Sequence, residues 1–200
     1  MSQHLILTRM ALLHVGLAGF LVGALSSSCT RQPPRVEPTA YFSPTPERDP
    51  ERALCKALAS AEKEIRIAMY SFTRRPLRQA VVEAKKRGVD VEIILDRQQA
   101  SSKYSAWRLL RADGVRVHFG GALKGVERGL MHHKYAVIDR RWVFTGSFNW
   151  TGNAVEYNRE NLLQVDSPRL AATYLENWKP IPFTDDPPPE KSPKDVALDW

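Results

Sequence analysis

Between residues 51 and 178 the apolar positions follow two alternating periods. In "ERALCKALASAEKE" (51–64), Leu54, Ala57, Leu58 and Ala61 fall three and four apart, the stripe of an amphipathic helix. "IRIAMYSF" (65–72) is almost continuously apolar and runs into a Ser-Phe-Thr turn, which predicts a buried strand. "RPLRQAVVEAKKRG" (75–88) has Pro76 near its start and Gly88 at its end, the asymmetry of a helix. "VDVEIILD" (89–96) reads as a second strand, "SSKYSAWRLLRADG" (101–114) as a second crossover helix stopping at Gly114, and "VRVHF" (115–119) as a third strand. Strands alternating with helices of this length imply right-handed crossovers and a parallel core sheet.

The rhythm then changes. "GGALKGVERG" (120–129) is a glycine-rich loop whose Lys124, Glu127 and Arg128 can border a groove. "MHHKYAVID" (131–139) and "RWVFTGS" (141–147) read as an antiparallel hairpin joined at Asp139-Arg140-Arg141. "ENLLQV" (160–165) is a further strand and "PRLAATYLENW" (168–178) a final helix. The expected fold class is α/β: a mixed, mainly parallel sheet flanked by helices on both faces.

Proline placement sets the boundaries. Twelve of the 14 prolines fall at residues 33–50 or 180–193, and only Pro76 and Pro168 lie between. The expected organisation is an N-terminal segment (1–30), a proline-rich linker (31–50), a folded domain (51–183) and an acidic, disordered tail (184–200). Net charge divides with it: the chain is +7, the folded segment alone about +9. Such a basic domain favours polyanions, whether nucleic acid or an anionic lipid surface. Residues 1–30 place Arg9 before the apolar run "ALLHVGLAGFLVGAL" and the small residues "SSSC", the plan of an export signal to the periplasm or beyond. Cys29 follows small residues as in a lipoprotein box, with Leu25 one position too far away. Cleaved signal, lipoprotein and uncleaved membrane anchor all stay open. With only Cys29 and Cys55, a disulfide scaffold or cysteine-rich zinc site is excluded, and Cys55 reads as a buried small hydrophobe.

Candidate chemistry concentrates in "MHHKYAVIDRRWVFTGSFNW" (131–150). Strand alternation puts His132 and Lys134 on one face and His133 on the other. Gly146 and Ser147 end the return strand, where backbone N–H groups are expected to be free for an anion. Asn149 adds an amide, and Glu160 opens the next strand at the same sheet end. A histidine can act as nucleophile or general acid, and lysine and asparagine can hold phosphate oxygens. A glutamate bonded to the far imidazole nitrogen would fix the tautomer. This is a phosphodiester chemistry that needs no metal or other cofactor. Asp139, at a tight corner, is expected to cap the turn rather than react. Phe148 and Trp150 read as core packing before base stacking, and His118 as a strand-end residue. Arg74, Arg75 and Arg78 suit phosphate contacts or a solvated helix face equally.

His132-x-Lys134-x4-Asp139-x6-Gly146-Ser147-x-Asn149 resembles, across eighteen residues, the signature of the phospholipase D superfamily. Glu160, eleven positions later, and "IAMYSFT" (67–73) are similar to its small single-motif members of the bacterial endonuclease type. The resemblance spans residues 50–180. It implies a phospholipase D/nuclease-like fold and a two-step reaction: His132 attacks phosphorus, a second histidine protonates the leaving oxygen, and water releases the phosphate. Larger relatives carry two motifs. Here none of His4, His14, His118 or His133 has a lysine two positions on. The resemblance therefore implies a homodimer sharing one active site, each protomer offering His132 across a two-fold axis. It implies a non-specific endonuclease acting on DNA or RNA, with phospholipase D activity on membrane phospholipids as the alternative. A non-catalytic binding module is disfavoured by the intact motif.

Overall fold

The computed structural model describes residues 37–121 and 129–191. The export segment with Cys29, the first part of the linker, the loop residues Lys124, Glu127 and Arg128, and the tail beyond Lys191 lie outside the described residues. The elements run β1 (Thr39–Ser43), α1 (Asp49–Ser60), β2 (Glu64–Met69), α2 (Arg75–Lys86), β3 (Asp90–Asp96), α3 (Arg97–Ala100), α4 (Trp107–Ala112) and β4 (Arg116–Gly120). Then follow β5 (Lys134–Ile138), β6 (Trp142–Gly146), α5 (Gly152–Glu156), β7 (Glu160–Asp166), α6 (Pro168–Trp178) and β8 (Phe183–Thr184). Among the described residues no helix is long and apolar enough to cross a membrane.

The strands form one mixed sheet in the order β1-β7-β6-β5-β2-β3-β4-β8. Among the strands of the described residues parallel pairing is confined to β2, β3 and β4, which are linked by helical crossovers. The other pairings are antiparallel, so the expected predominance of parallel strands does not hold. Only β5–β6 is a tight hairpin, turning through Asp139 and Arg140, both at φ 53°, with Arg141 N–H bonded to Ile138 O, while β1–β7, β2–β5 and β4–β8 join strands distant in the chain. Two consecutive left-handed residues give the hairpin turn whose twist matches the strands.

Alternation along the strands feeds two cores. Ile65, Ile67, Ile93, Phe119, Ala136, Ile138 and Phe144 pack beneath Leu54 and Leu58 of α1 and Leu77 and Val81 of α2. Ala68, Ile94, Tyr135, Val137 and Val143 point the other way, onto Ala171, Tyr174 and Trp178 of α6. Ser167 caps α6, its hydroxyl accepting from Leu170 N–H, with Pro168 in the first turn.

Both proline-rich flanks contribute structure. Residues 39–43, assigned from the sequence to a linker, form the edge strand β1 against β7, and Pro50 lies in the first turn of α1. Residues 184–191, expected to be disordered tail, lie along β4, α3 and α4. Thr184 pairs with Phe119, Arg97 donates to Asp186 O, and Glu190 sits 2.8 Å from Arg108. Prolines mark irregular chain, but they do not prevent edge pairing or ion pairing to a basic face.

Candidate active site

The C-terminal ends of β2 and β6 and the starts of β5 and β7 meet at one end of the sheet. There His132, Lys134, Gly146, Ser147, Asn149, Asn158, Glu160 and Asn161 line a pocket of about 620 Å³. The polar lining comes from the entrance to β5, the turn after β6 and the start of β7.

His132 precedes β5 and its backbone is fixed from below. Asp96, 1% exposed, accepts from Met131 N–H (3.1 Å) while capping α3 through Gln99 N–H (3.0 Å). Burial pushes the Asp96 carboxyl up, and these backbone hydrogen bonds oppose that rise. Tyr70 N–H holds His133 O at 2.7 Å. The Tyr70 ring meets the His132 ring edge-on at 4.5 Å and carries Lys134 Nζ 4.9 Å from its centroid. Gln99 Nε2 donates to the Tyr70 hydroxyl at 2.8 Å and sets that ring. Tyr70, Asp96 and Gln99 thus position the His-Lys pair, and none was singled out from the sequence: each lies far away in the chain, in a segment that reads as strand or loop.

Lys134 Nζ stands 3.0 Å from His132 Nε2 and 3.1 Å from His132 O. An ammonium can only donate, so this nitrogen of the imidazole presents its lone pair. His133 faces away, as alternation requires, its ring tilted against that of Tyr135 at 5.3 Å. Burial, then repulsion from Lys134 and His132, holds its pKa below the usual histidine value.

On the opposite rim Gly146 passes so close to β7 that a Cβ would sit 2.3 Å from Asn161 O. Only glycine fits there. Ser147 N–H and Phe148 N–H both donate to Asn161 O, at 3.1 and 3.3 Å. The expectation of free backbone N–H groups for an anion is therefore corrected: β7 occupies them. The Ser147 hydroxyl accepts from Asn161 N–H (3.0 Å) and Nδ2 (3.3 Å), which leaves its own O–H as a donor. Asn149 Oδ1 accepts from Ser71 N–H at 3.3 Å, so its NH₂ is the end left for a ligand. Glu160 Oε1 accepts from Asn158 Nδ2 at 3.2 Å. Asn158 and Asn161 were missed, being ordinary loop and strand asparagines until β7 is placed.

The remaining candidates lie elsewhere. Asp139 is at the far end of β5, where its carboxylate accepts from Glu62, Lys63 and Glu64 N–H at 2.9, 2.7 and 3.0 Å. Phe148 (0% exposed) and Trp150 (1%) belong to the core and cannot stack on a ligand. Arg74 is committed to Glu51 and Glu156, each at 3.0 Å. His118 sits between Glu92 and Asp185. Burial pushes the Cys55 thiol up to about 11, which keeps it protonated and unreactive. Among the described residues no three His, Cys, Asp or Glu side chains cluster in a way that could hold a metal ion.

Comparison with known proteins places this architecture. Nuc, a phospholipase D family member from Salmonella typhimurium, superposes with a TM-score of 0.67 at 31% identity, over 76% of this chain and 99% of that one. NucT from Helicobacter pylori gives 0.65 at 30%, over 72% and 96%. The mouse protein named mitochondrial cardiolipin hydrolase is 34% identical over 128 residues, 64% of this chain and 56% of the relative. A Rickettsia felis protein named phospholipase D is 32% identical over 136 residues, 67% and 64% of the two chains. The chain spans about half the length of the cardiolipin hydrolases it matches. Residues 54–180 match the family model described as "Cardiolipin synthase, PLD-like domain", and with the sheet and rim residues in place the chain belongs to the phospholipase D superfamily of phosphodiesterases.

Proposed function

We propose that this protein is an exported endonuclease that hydrolyses DNA or RNA without a metal, through a phosphohistidine on His132 of a shared dimer site. The supporting observation is the single pocket in which His132 and Lys134 face Ser147, Asn149 and Glu160. On phosphate entry Lys134 Nζ turns from His132 Nε2 to a non-bridging oxygen, and the freed Nε2 lone pair attacks phosphorus as the P–O bond to the leaving group breaks. His132 of the partner protomer gives that oxygen its proton. Water then attacks the phosphohistidine, losing a proton to the same partner imidazole, and His132 is regenerated. Lys134 and the Asn149 NH₂ stabilise the charge that develops on the non-bridging oxygens. To Glu160, whose Oε1 accepts from Asn158 Nδ2 on the same pocket wall, we assign the orienting of the imidazole.

Two observations favour nucleic acid. The folded segment carries about +9, and phosphate contacts dominate affinity for nucleic acid. Nuc and NucT are matched over nearly their whole length, which is the build of a stand-alone domain. The second reading, hydrolysis of membrane phospholipids, is favoured by the relatives named cardiolipin hydrolase and phospholipase D.

The test offers the purified full-length protein single-stranded DNA, RNA, and vesicles of phosphatidylcholine or cardiolipin, each with excess chelator. We expect nucleic-acid cleavage that survives the chelator, disappears in His132→Asn, and passes through an acid-labile adduct joining a strand fragment to the wild-type protein by its phosphate. Cleavage of vesicles alone selects the second reading. Full activity in His132→Asn removes the site assignment, and an active monomer by sedimentation removes the shared site. Export is checked by cell fractionation and the N-terminal residue of the mature protein; an intact Met1 in the cytosol overturns it.

A further inference from the structure

The strand start at His132–Tyr135 divides two compartments. Behind it, on the α6 side of the sheet, lies a second pocket of about 430 Å³ that shares His132, Lys134 and Gly146 with the first. Whatever is bonded to a phosphorus held at His132 can therefore extend directly into it. Its size is within the ~300–1,000 Å³ of sites that enclose small organic groups.

The lining specifies the occupant. Tyr135 and Tyr174 meet edge to face at 4.9 Å, and His133 packs on Tyr135, so the pocket offers aromatic surface. The Tyr135 hydroxyl donates to Asn177 Oδ1 at 3.3 Å, which leaves the Asn177 NH₂ as a donor. His133, held neutral by burial and by the charge of neighbouring Lys134, carries one donor and one acceptor. A second phosphate finds no cation here beyond the shared Lys134. A quaternary ammonium headgroup finds no carboxylate, and Lys134 repels it. An acyl chain would strip water from an amide, an imidazole and a threonine hydroxyl without replacing their hydrogen bonds. A neutral, planar group with donors and acceptors on its edge satisfies all of these.

We propose that this compartment is a nucleobase subsite, in which the base beside the attacked phosphate stacks on Tyr174 and has its edge read by Asn177 and His133. The proposal rests on the nucleic-acid reading above and adds to it a preference for unpaired strands, because a base inside a duplex cannot leave its stack to enter.

The test compares two single-stranded oligonucleotides of the same length, one with bases and one built wholly of abasic residues, so that the phosphates are identical. Full-length wild type is expected to cleave the base-bearing strand faster. Tyr174→Leu keeps an apolar side chain on α6, and Asn177→Asp keeps the acceptor for the Tyr135 hydroxyl while removing the NH₂, so the two variants together guard against misfolding. Each is expected to lose about tenfold more rate on the base-bearing strand than on the abasic one, the order of one lost stack. Equal losses on both strands, or a wild type indifferent to bases, overturn the subsite while the nuclease reading stands. Cleavage of neither strand overturns both. Vesicle cleavage that falls in the same variants reassigns the pocket to a lipid headgroup, and variants that sediment as monomers reassign it to the contact between copies.

Discussion

Asp139 and Gly146 belong to the motif yet touch no reacting group in the proposed chemistry. Asp139 gathers three backbone N–H groups where the chain enters β2. Asp139→Ala leaves them to water, and should lower unfolding free energy by about 1–2 kcal/mol. The folded fraction should keep its turnover per site; a large fall in turnover with unchanged stability, read by denaturant titration beside the activity assay, would place Asp139 in the chemistry instead. Gly146 allows β6 to lie against Asn161 O, and through it brings Ser147 within reach of Asn161. The histidine, lysine, hydroxyl, amide and glutamate of the site were all legible in the sequence, because strand alternation and motif spacing are local. The Tyr70–Gln99–Asp96 support was not: it forms only when β3 and α3 are brought beneath the β5 entrance.

The long elements were equally legible. α2, β3 and α6 lie within two residues of the bounds their periodicity predicts, and α6 coincides with them. What escaped was short or at the edge. β1 has no apolar face of the usual kind: Tyr41 packs inward while Phe42 is 62% exposed, and its pairing to β7 joins segments about 120 residues apart. β1 nevertheless matters to the site. It shields the outer edge of the strand that carries Glu160 and Asn161, and the Ser43 hydroxyl ties β1 to Ala154 O at 2.6 Å. Replacing Thr39–Ser43 by a glycine–serine run of equal length should lower the melting temperature by roughly 2–4 °C per kcal/mol lost. It should also expose β7 as an open edge prone to association. Calorimetry and light scattering read both; an unchanged melt would mean that β1 contributes nothing to the fold.

Across the molecule, the charges are arranged against one another. The Asp185 and Glu190 carboxylates meet His118 and Arg108, and Arg97 and Arg111 donate to the backbone oxygens of Asp186 and Asp185, so an acidic strap covers part of a basic domain. Neutralising the strap as Asp185→Asn, Asp186→Asn and Glu190→Gln in the His132→Asn background should tighten nucleic-acid binding. It should steepen the dependence of log affinity on log salt by up to about 0.7–0.9 per phosphate gained. An unchanged slope would show that those arginines never meet the polyanion. The sheet also explains the motif's spacing. Lys134 stands at one end of β5 and Asp139 just past the other, and between them lies the full run of pairing to β2, from Met69 to Ile65. The four residues separating the motif's lysine from its aspartate are therefore a gauge of sheet width. One residue more or fewer would leave the clasp at residues 62–64 holding the wrong register, and would turn His132 and Lys134 toward α6.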